Sequence, residues 1–86
     1  MKVILPTPVT DYTGGRREVE AEGVDLDAVL HDLDRRYPGI RFRMIDEQDR
    51  IRPHIKLFVN RTLTANLAIP LGANDELLIV AALSGG

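Results

Sequence analysis

One amphipathic stretch constrains this chain more than any other feature. Between Gly23 and Pro38-Gly39, the residues Leu26, Val29, Leu30, Leu33 and Tyr37 recur at i, i+3, i+4, i+7 and i+11. At 100° per residue these side chains share one arc of a helix, while Asp27, His31, Asp34 and Arg35 lie away from it. Asp25 stands where an N-cap belongs, and Pro38-Gly39 supplies the stop. Asp32 and Arg36 are spaced to pair at i, i+4 on the flank. Such a helix has one apolar stripe to bury, and most of the other strongly apolar segments in the 86 residues read as strand.

Residues 2–5 (KVIL) are β-rich, and Pro6 and Pro8 argue against a helix after them. Residues 10–15 read as a loop in which Gly14-Gly15 are free to take positive φ. Residues 16–21 form a half-polar strand with Val19 and Ala21 on one face, so the first two strands make an antiparallel hairpin. Residues 40–45 suit one further helical turn burying Ile40 and Met44, and residues 46–49 an exposed turn. Ile55–Val59 is a strand, Asn60 tolerates a left-handed turn, and Thr62–Thr64 makes a short partner strand. Residues 67–71 are irregular around Pro70, and Asn74-Asp75 turns the chain into residues 76–83, the longest strand. That strand is apolar on both parities, as a central strand should be.

The order β-β-α-β-(β)-β predicts a single α+β domain over residues 1–86, one sheet packed on one helix. A single helix covers a single face. Phe58 and one parity of the last strand must therefore face away from it and offer a docking surface, for which Phe58, Leu78 and Val80 are the candidates. Because Leu77 and Ile79 are equally apolar, alternation alone does not choose the parity.

Several function classes are excluded at this stage. The absence of cysteine removes disulfides, iron–sulfur ligation, thiolate zinc sites and cysteine nucleophiles together. His31 and His54 are the only imidazoles, too few for a histidine-rich metal centre. The chain is too short to enclose a deep catalytic pocket, so it is expected not to be an enzyme, and no bound cofactor is expected. The net charge of -2 and the scarcity of stacking aromatics argue against nucleic acid as a partner. No apolar run suits a membrane span and no secretory signal is visible, so a cytoplasmic protein is expected. Gly14-Gly15 lacks the Lys and Ser/Thr of a phosphate loop. The carboxylate pairs Asp25/Asp27, Asp32/Asp34 and Asp46/Asp49 fall on polar helix faces or turns and read as solvated surface. His31 has Asp27 as an i−4 partner. Residues 35–61 carry eight cations against three acids, leaving three cations against ten acids elsewhere. That asymmetry suits an acidic protein partner as well as it suits ordinary solvated charge.

The ending Ser84-Gly85-Gly86 follows an apolar strand rather than a polar tail. An extended Ser-Gly-Gly segment projects about 10 Å beyond a sheet. Residues without Cβ let backbone thread a channel too narrow for any side chain, bringing the α-carboxylate to whatever lies at its end.

In these residues the chain resembles the ubiquitin-like sulfur-carrier proteins of the ThiS/MoaD family, and within it the CysO-like branch. The resemblance runs nearly end to end. It takes in Pro6-Thr7, Thr13-Gly14-Gly15, Arg16 to Glu20, the helix end from Leu33 to Ile40, Phe58-Val59-Asn60, Asn74 to Leu77 and Gly85-Gly86. At the hairpin, Asn60-Arg61 stands where the family usually has Asn-Gly or Asn-Asp. The resemblance implies a β-grasp fold and a protein co-substrate rather than a catalyst. An ATP-dependent adenylating enzyme of the ThiF/MoeB type would activate the Gly86 carboxylate, with Ser84 and Gly85 threading its channel. A sulfur donor would then form a thiocarboxylate for an acceptor enzyme such as a cysteine-synthase-like protein. Cysteine or a thio-metabolite is the favoured product. A molybdopterin synthase small subunit, a thiazole-synthesis carrier and a protein modifier joined to lysines through Gly86 are the other readings.

Overall fold

A computed structural model describes residues 1–82. Five strands form one sheet: β1 (Lys2–Ile4), β2 (Glu18–Glu20), β3 (Ile55–Val59), β4 (Thr62–Thr64) and β5 (Glu76–Ala81). The sheet order is β2-β1-β5-β3-β4. β1 and β5 run parallel, and all other neighbours are antiparallel. The helix α1 (Leu26–Arg36) packs on one face of the sheet. This is the β-grasp arrangement, with the last strand at its centre.

The expected helix forms as its pattern requires. Leu26, Val29, Leu30 and Leu33 are fully buried, and the Asp25 carboxylate accepts the Ala28 amide at 2.8 Å. Tyr37, the last residue of the arc, is half-buried at the C-terminal cap. Alternate residues of the strands meet the helix: Val3, Val19, Ile55, Leu57, Val59, Leu77 and Ile79 are all buried. Ile40, Met44 and Ile45 close the end of this core. Residues 41–43 make a 3-10 turn, in keeping with the helical turn expected there.

The segment after β1 departs from expectation. Thr7–Thr13 is a 3-10 helix, so residues 10–13 of the expected loop are helical, with Pro8 in its first turn and Gly14 as a left-handed cap. Proline is compatible with a first turn because no amide hydrogen bond is required there. Threonine hydroxyls reinforce the turns: Thr10 donates to the Thr7 carbonyl at 2.8 Å and Thr13 to the Arg16 carbonyl at 2.6 Å.

Two further contacts join distant segments. The irregular residues 67–71 lie across the start of α1, where the Ile69 and Leu67 carbonyls accept the Leu26 and Asp27 amides at 3.1 and 2.8 Å. These are amides that a helix cannot satisfy within itself. Gly23 reads from sequence as a strand breaker, and it also lets the chain pass close to the helix. A Cβ there would come within 2.5 Å of the Val29 nitrogen and 2.7 Å of the Ala28 carbonyl carbon.

Candidate functional site

β5 carries the chain end along the middle of the sheet. Lys2, Val3 and Ile4 of β1 pair with Glu76, Leu77 and Leu78, and on the other side Ile55 to Val59 of β3 pair with Ala81 to Leu77. One residue beyond the strand, the Ala82 amide still donates to the His54 carbonyl at 2.7 Å. A central strand hydrogen-bonded on both flanks is held in place up to Ala82. Ser84, Gly85 and Gly86, the residues expected to carry the chemistry, lie outside the described residues.

The structure also decides the parity of β5. Leu77 and Ile79 are buried under the helix, so Glu76, Leu78 and Val80 face the open side, together with Phe58 of β3. Val80 is 36% exposed, and Leu78 and Phe58 are half-buried. Strand register aligns them with residues that sequence reading did not single out. Ile4, Leu78, Phe58 and Leu63 stand side by side across four strands, with Leu63 58% exposed. An apolar row therefore crosses the uncovered face. The signal for Leu63 lay in the hairpin spacing around Asn60, which places it opposite Phe58. The signal for Ile4 needed the parallel pairing, which leaves no local trace in sequence.

Charge is sorted along this face. Lys2 sits between Glu20 and Glu76 at the start of β5. Lys56 lies opposite Val80, and His54 bonds Ala82, towards the end of the chain. Beyond His54, the Arg52 guanidinium stacks 4.5 Å over the Phe42 ring, and its Nε donates to the Phe42 carbonyl at 2.7 Å.

Of the carboxylates expected to be solvated surface, Asp27 is half-exposed and Asp49 exposed, whereas Asp25, Asp32, Asp34 and Asp46 also hold the backbone. Asp32 accepts the Glu22 amide at 2.8 Å and bonds both Arg35 and Arg36. Partial burial pushes its carboxyl up, but the Glu22 amide and the two guanidiniums outweigh burial and lower it to about 2. Asp34 accepts the Gly39 and Arg41 amides at 3.1 and 3.0 Å, tying off the helix end. Asp46 closes its turn by accepting the Gln48 and Arg50 amides, each at 2.9 Å. The Arg50 amide is the main cause that holds its carboxyl below the ordinary range. His31 stays exposed beside Asp27 at 3.6 Å. Among the described residues, no helix is long and apolar enough to cross a membrane.

Both the fold and the sequence have clear relatives. The sequence matches the ThiS family over residues 3–86. The chain belongs to the ThiS family. It is 33% identical to the sulfur carrier protein CysO of Mycobacterium tuberculosis, over 98% of this chain and 96% of that one. Its structure superposes on the crystal structure of the Amycolatopsis orientalis BexX/CysO complex with a TM-score of 0.89 at 30% identity, covering 99% of this chain and 98% of that one. The crystal structure of M. tuberculosis CysO gives a TM-score of 0.88 at 30% identity, over 95% and 98% of the two chains. The ubiquitin-like β-grasp fold and the CysO-like resemblance read from sequence are both borne out.

Proposed function

We propose that this protein is a sulfur carrier that works as a co-substrate of other enzymes in the cytoplasm. The observation that carries the reading is the family match, which runs through Gly85 and Gly86, combined with similarity to CysO over nearly the whole chain. A Gly86 carboxylate oxygen attacks the α-phosphorus of ATP in an adenylating enzyme, releasing pyrophosphate and leaving an acyl-adenylate. A sulfide-equivalent donor then attacks the acyl carbon and expels AMP, leaving a thiocarboxylate. The first step is needed because a free carboxylate is a poor electrophile. The product is useful because a sulfur anion is a better nucleophile than a carboxylate. With no cysteine in the chain, sulfur has no thiol to ride on as a persulfide.

Ser84 and Gly85 thread the enzyme's channel, and the open face supplies the docking surface, with Phe58, Leu78 and Val80 joined by Ile4 and Leu63. Similarity to CysO favours cysteine or another small thio-metabolite as the destination of the sulfur. The test is intact-mass measurement after incubation with a purified ThiF/MoeB-type adenylating enzyme, ATP and sulfide. Replacement of one oxygen by sulfur at Gly86 is expected. An unchanged mass, or isopeptide-linked products without thiocarboxylate, overturns the carrier reading.

A further inference from the structure

Beside the end of β5 lies a concavity of about 290 Å³ lined by Phe42, Arg43, Arg52 and His54. Three of these four residues carry cationic or protonatable groups, and none is an acid. The lining comes from two segments, the 3-10 turn after α1 and the approach to β3, joined where Arg52 bonds the Phe42 carbonyl. Phe42 is 56% exposed although it is one of only two phenylalanines in the chain. Arg52 stacks on the ring, and Phe42 borders both this basic rim and a second concavity lined by Asp34, Asp46, Glu47 and Asp49.

These cations, like Arg16, Arg17, Arg50 and Arg61, differ from the three arginines that make ion pairs among the described residues. Arg35 and Arg36 are paired with Asp32, and Arg41 with Asp27 and Asp49. Among the described residues, Arg43 and Arg52 make no ion pair within 4 Å. Asp46, whose carboxyl feels the Arg52 charge, accepts the Gln48 and Arg50 amides. The concavity also adjoins the end of the sheet: His54, in the turn just before β3, lines it, and its carbonyl accepts the Ala82 amide.

We infer that this concavity is a second docking contact, which receives the side-chain carboxylates of an acidic loop on the protein partner that takes the chain end. The inference rests on the carrier reading for the identity of that partner, whereas the carboxylate chemistry stands on the concavity itself. Along β5 the open face runs from Glu76, through Leu78 and Val80, to the basic rim. A partner with an apolar strip and carboxylates at one end fits it in one direction only, and that direction places the acidic loop beside the end of β5. Carboxylates there steer encounter and fix orientation, while the apolar row supplies most of the contact area.

Two measurements test this. In the first, the amide resonances of the full-length protein are followed by NMR during titration with a capped hexaglutamate peptide, a capped hexaglutamine peptide, inorganic phosphate and ATP. Saturating shifts confined to Phe42, Arg43, Arg52, His54 and their neighbours are expected with hexaglutamate alone, and they should weaken at least about fivefold in Arg43→Glu. Shifts spread equally over Arg16, Arg17 and Arg61 overturn the inference. So do shifts produced by phosphate or ATP at lower concentration than the peptide, which assign the concavity to phosphate.

In the second, thiocarboxylate formation by the adenylating enzyme is followed at several salt concentrations. Arg43→Glu should raise the KM for the carrier about tenfold and flatten its salt dependence, with kcat unchanged. An unaltered KM and salt slope, with wild type charged normally, overturns the inference. Wild type that is never charged but binds hexaglutamate at the concavity overturns the carrier reading and leaves the carboxylate site standing.

Discussion

The two faces of this sheet are made from alternate residues of the same strands, yet they are built on different rules. The helix-covered face is uniformly apolar: Val3, Leu57, Leu77 and Ile79 differ in shape but not in character. The open face changes along its length, with Glu20, Lys2 and Glu76 at one end, Ile4, Leu78, Phe58 and Leu63 across the middle, and Lys56 towards the other. Packing against one's own helix needs volume and exclusion of water, and it is indifferent to direction. Packing against another protein also needs an orientation, and a face that changes along its length supplies one. The contrast teaches that folding and recognition draw on separate residues here, even where those residues are sequence neighbours.

The largest effect expected lies on neither face. Gly85→Val should abolish thiocarboxylate formation by filling a narrow channel and restricting the backbone, while the thermal midpoint stays unchanged. Mass spectrometry and a melting curve read the two halves of that claim, and normal turnover of the variant would refute the threading argument.

Next in size is the neighbouring pair in β3. Leu57→Ala, on the covered face, should cost about 3 kcal/mol in denaturant unfolding through lost burial and the cavity left behind. Phe58→Ala, one residue on, should cost only about 1 kcal/mol but raise the KM for the adenylating enzyme about tenfold. Equal stability losses at both positions, with equal kinetics, would erase the distinction between the faces.

A smaller effect sharpens the helix side of the comparison. The folded Asp32 carboxyl titrates at about 2, below the ordinary aspartate value near 3.9. The stability it contributes is therefore complete above the ordinary value and is lost as pH falls from about 4 towards 2. Because Arg35 is largely exposed, solvent screens part of the interaction, and on the order of 1 kcal/mol remains. Unfolding of wild type and Asp32→Asn should differ by that amount at pH 7 and converge near pH 2.

The smallest effect concerns the β3–β4 hairpin. Asn60 and Arg61 both have positive φ, 49° and 72°, a pair of conformations that a two-residue turn requires. Asn60 is anchored, donating to Asp75 at 2.8 Å and accepting the Glu76 amide at 3.0 Å. Arg61 is an exposed side chain in a conformation that suits glycine. Arg61→Gly should stabilise the fold by about 0.5 kcal/mol, the relief of backbone strain exceeding the added freedom of the unfolded chain. A destabilised variant would mean that Arg61 makes a compensating contact.

Much of the fold was legible in the residues because its rules are local. The 3.6-residue period of Leu26, Val29, Leu30 and Leu33, the Asp25 cap and the Pro38-Gly39 stop determined the helix. The apolar run from Glu76 onward determined a central strand, and Asn60 marked the hairpin. The 3-10 helix at Thr7–Thr13 was misread because Pro6 and Pro8 oppose an α-helix but permit a first turn. The capping roles of Asp32, Asp34 and Asp46 were missed because the donors they accept from are backbone amides reached only after folding, as with the Glu22 amide that donates to Asp32.

What tertiary structure alone decided follows from the same distinction. Alternation says that Leu78 and Val80 share a face and that Leu77 and Ile79 share the other, but when both sets are apolar only the docked helix determines which set is covered. The parallel pairing of β1 with β5 brings Ile4 beside Leu78 across the length of the chain. The contact of Arg52 with Phe42 gathers a basic concavity beside the end of β5. Neither leaves a periodic trace, because contacts between distant segments depend on how elements pack and not on the spacing of residues within any one of them.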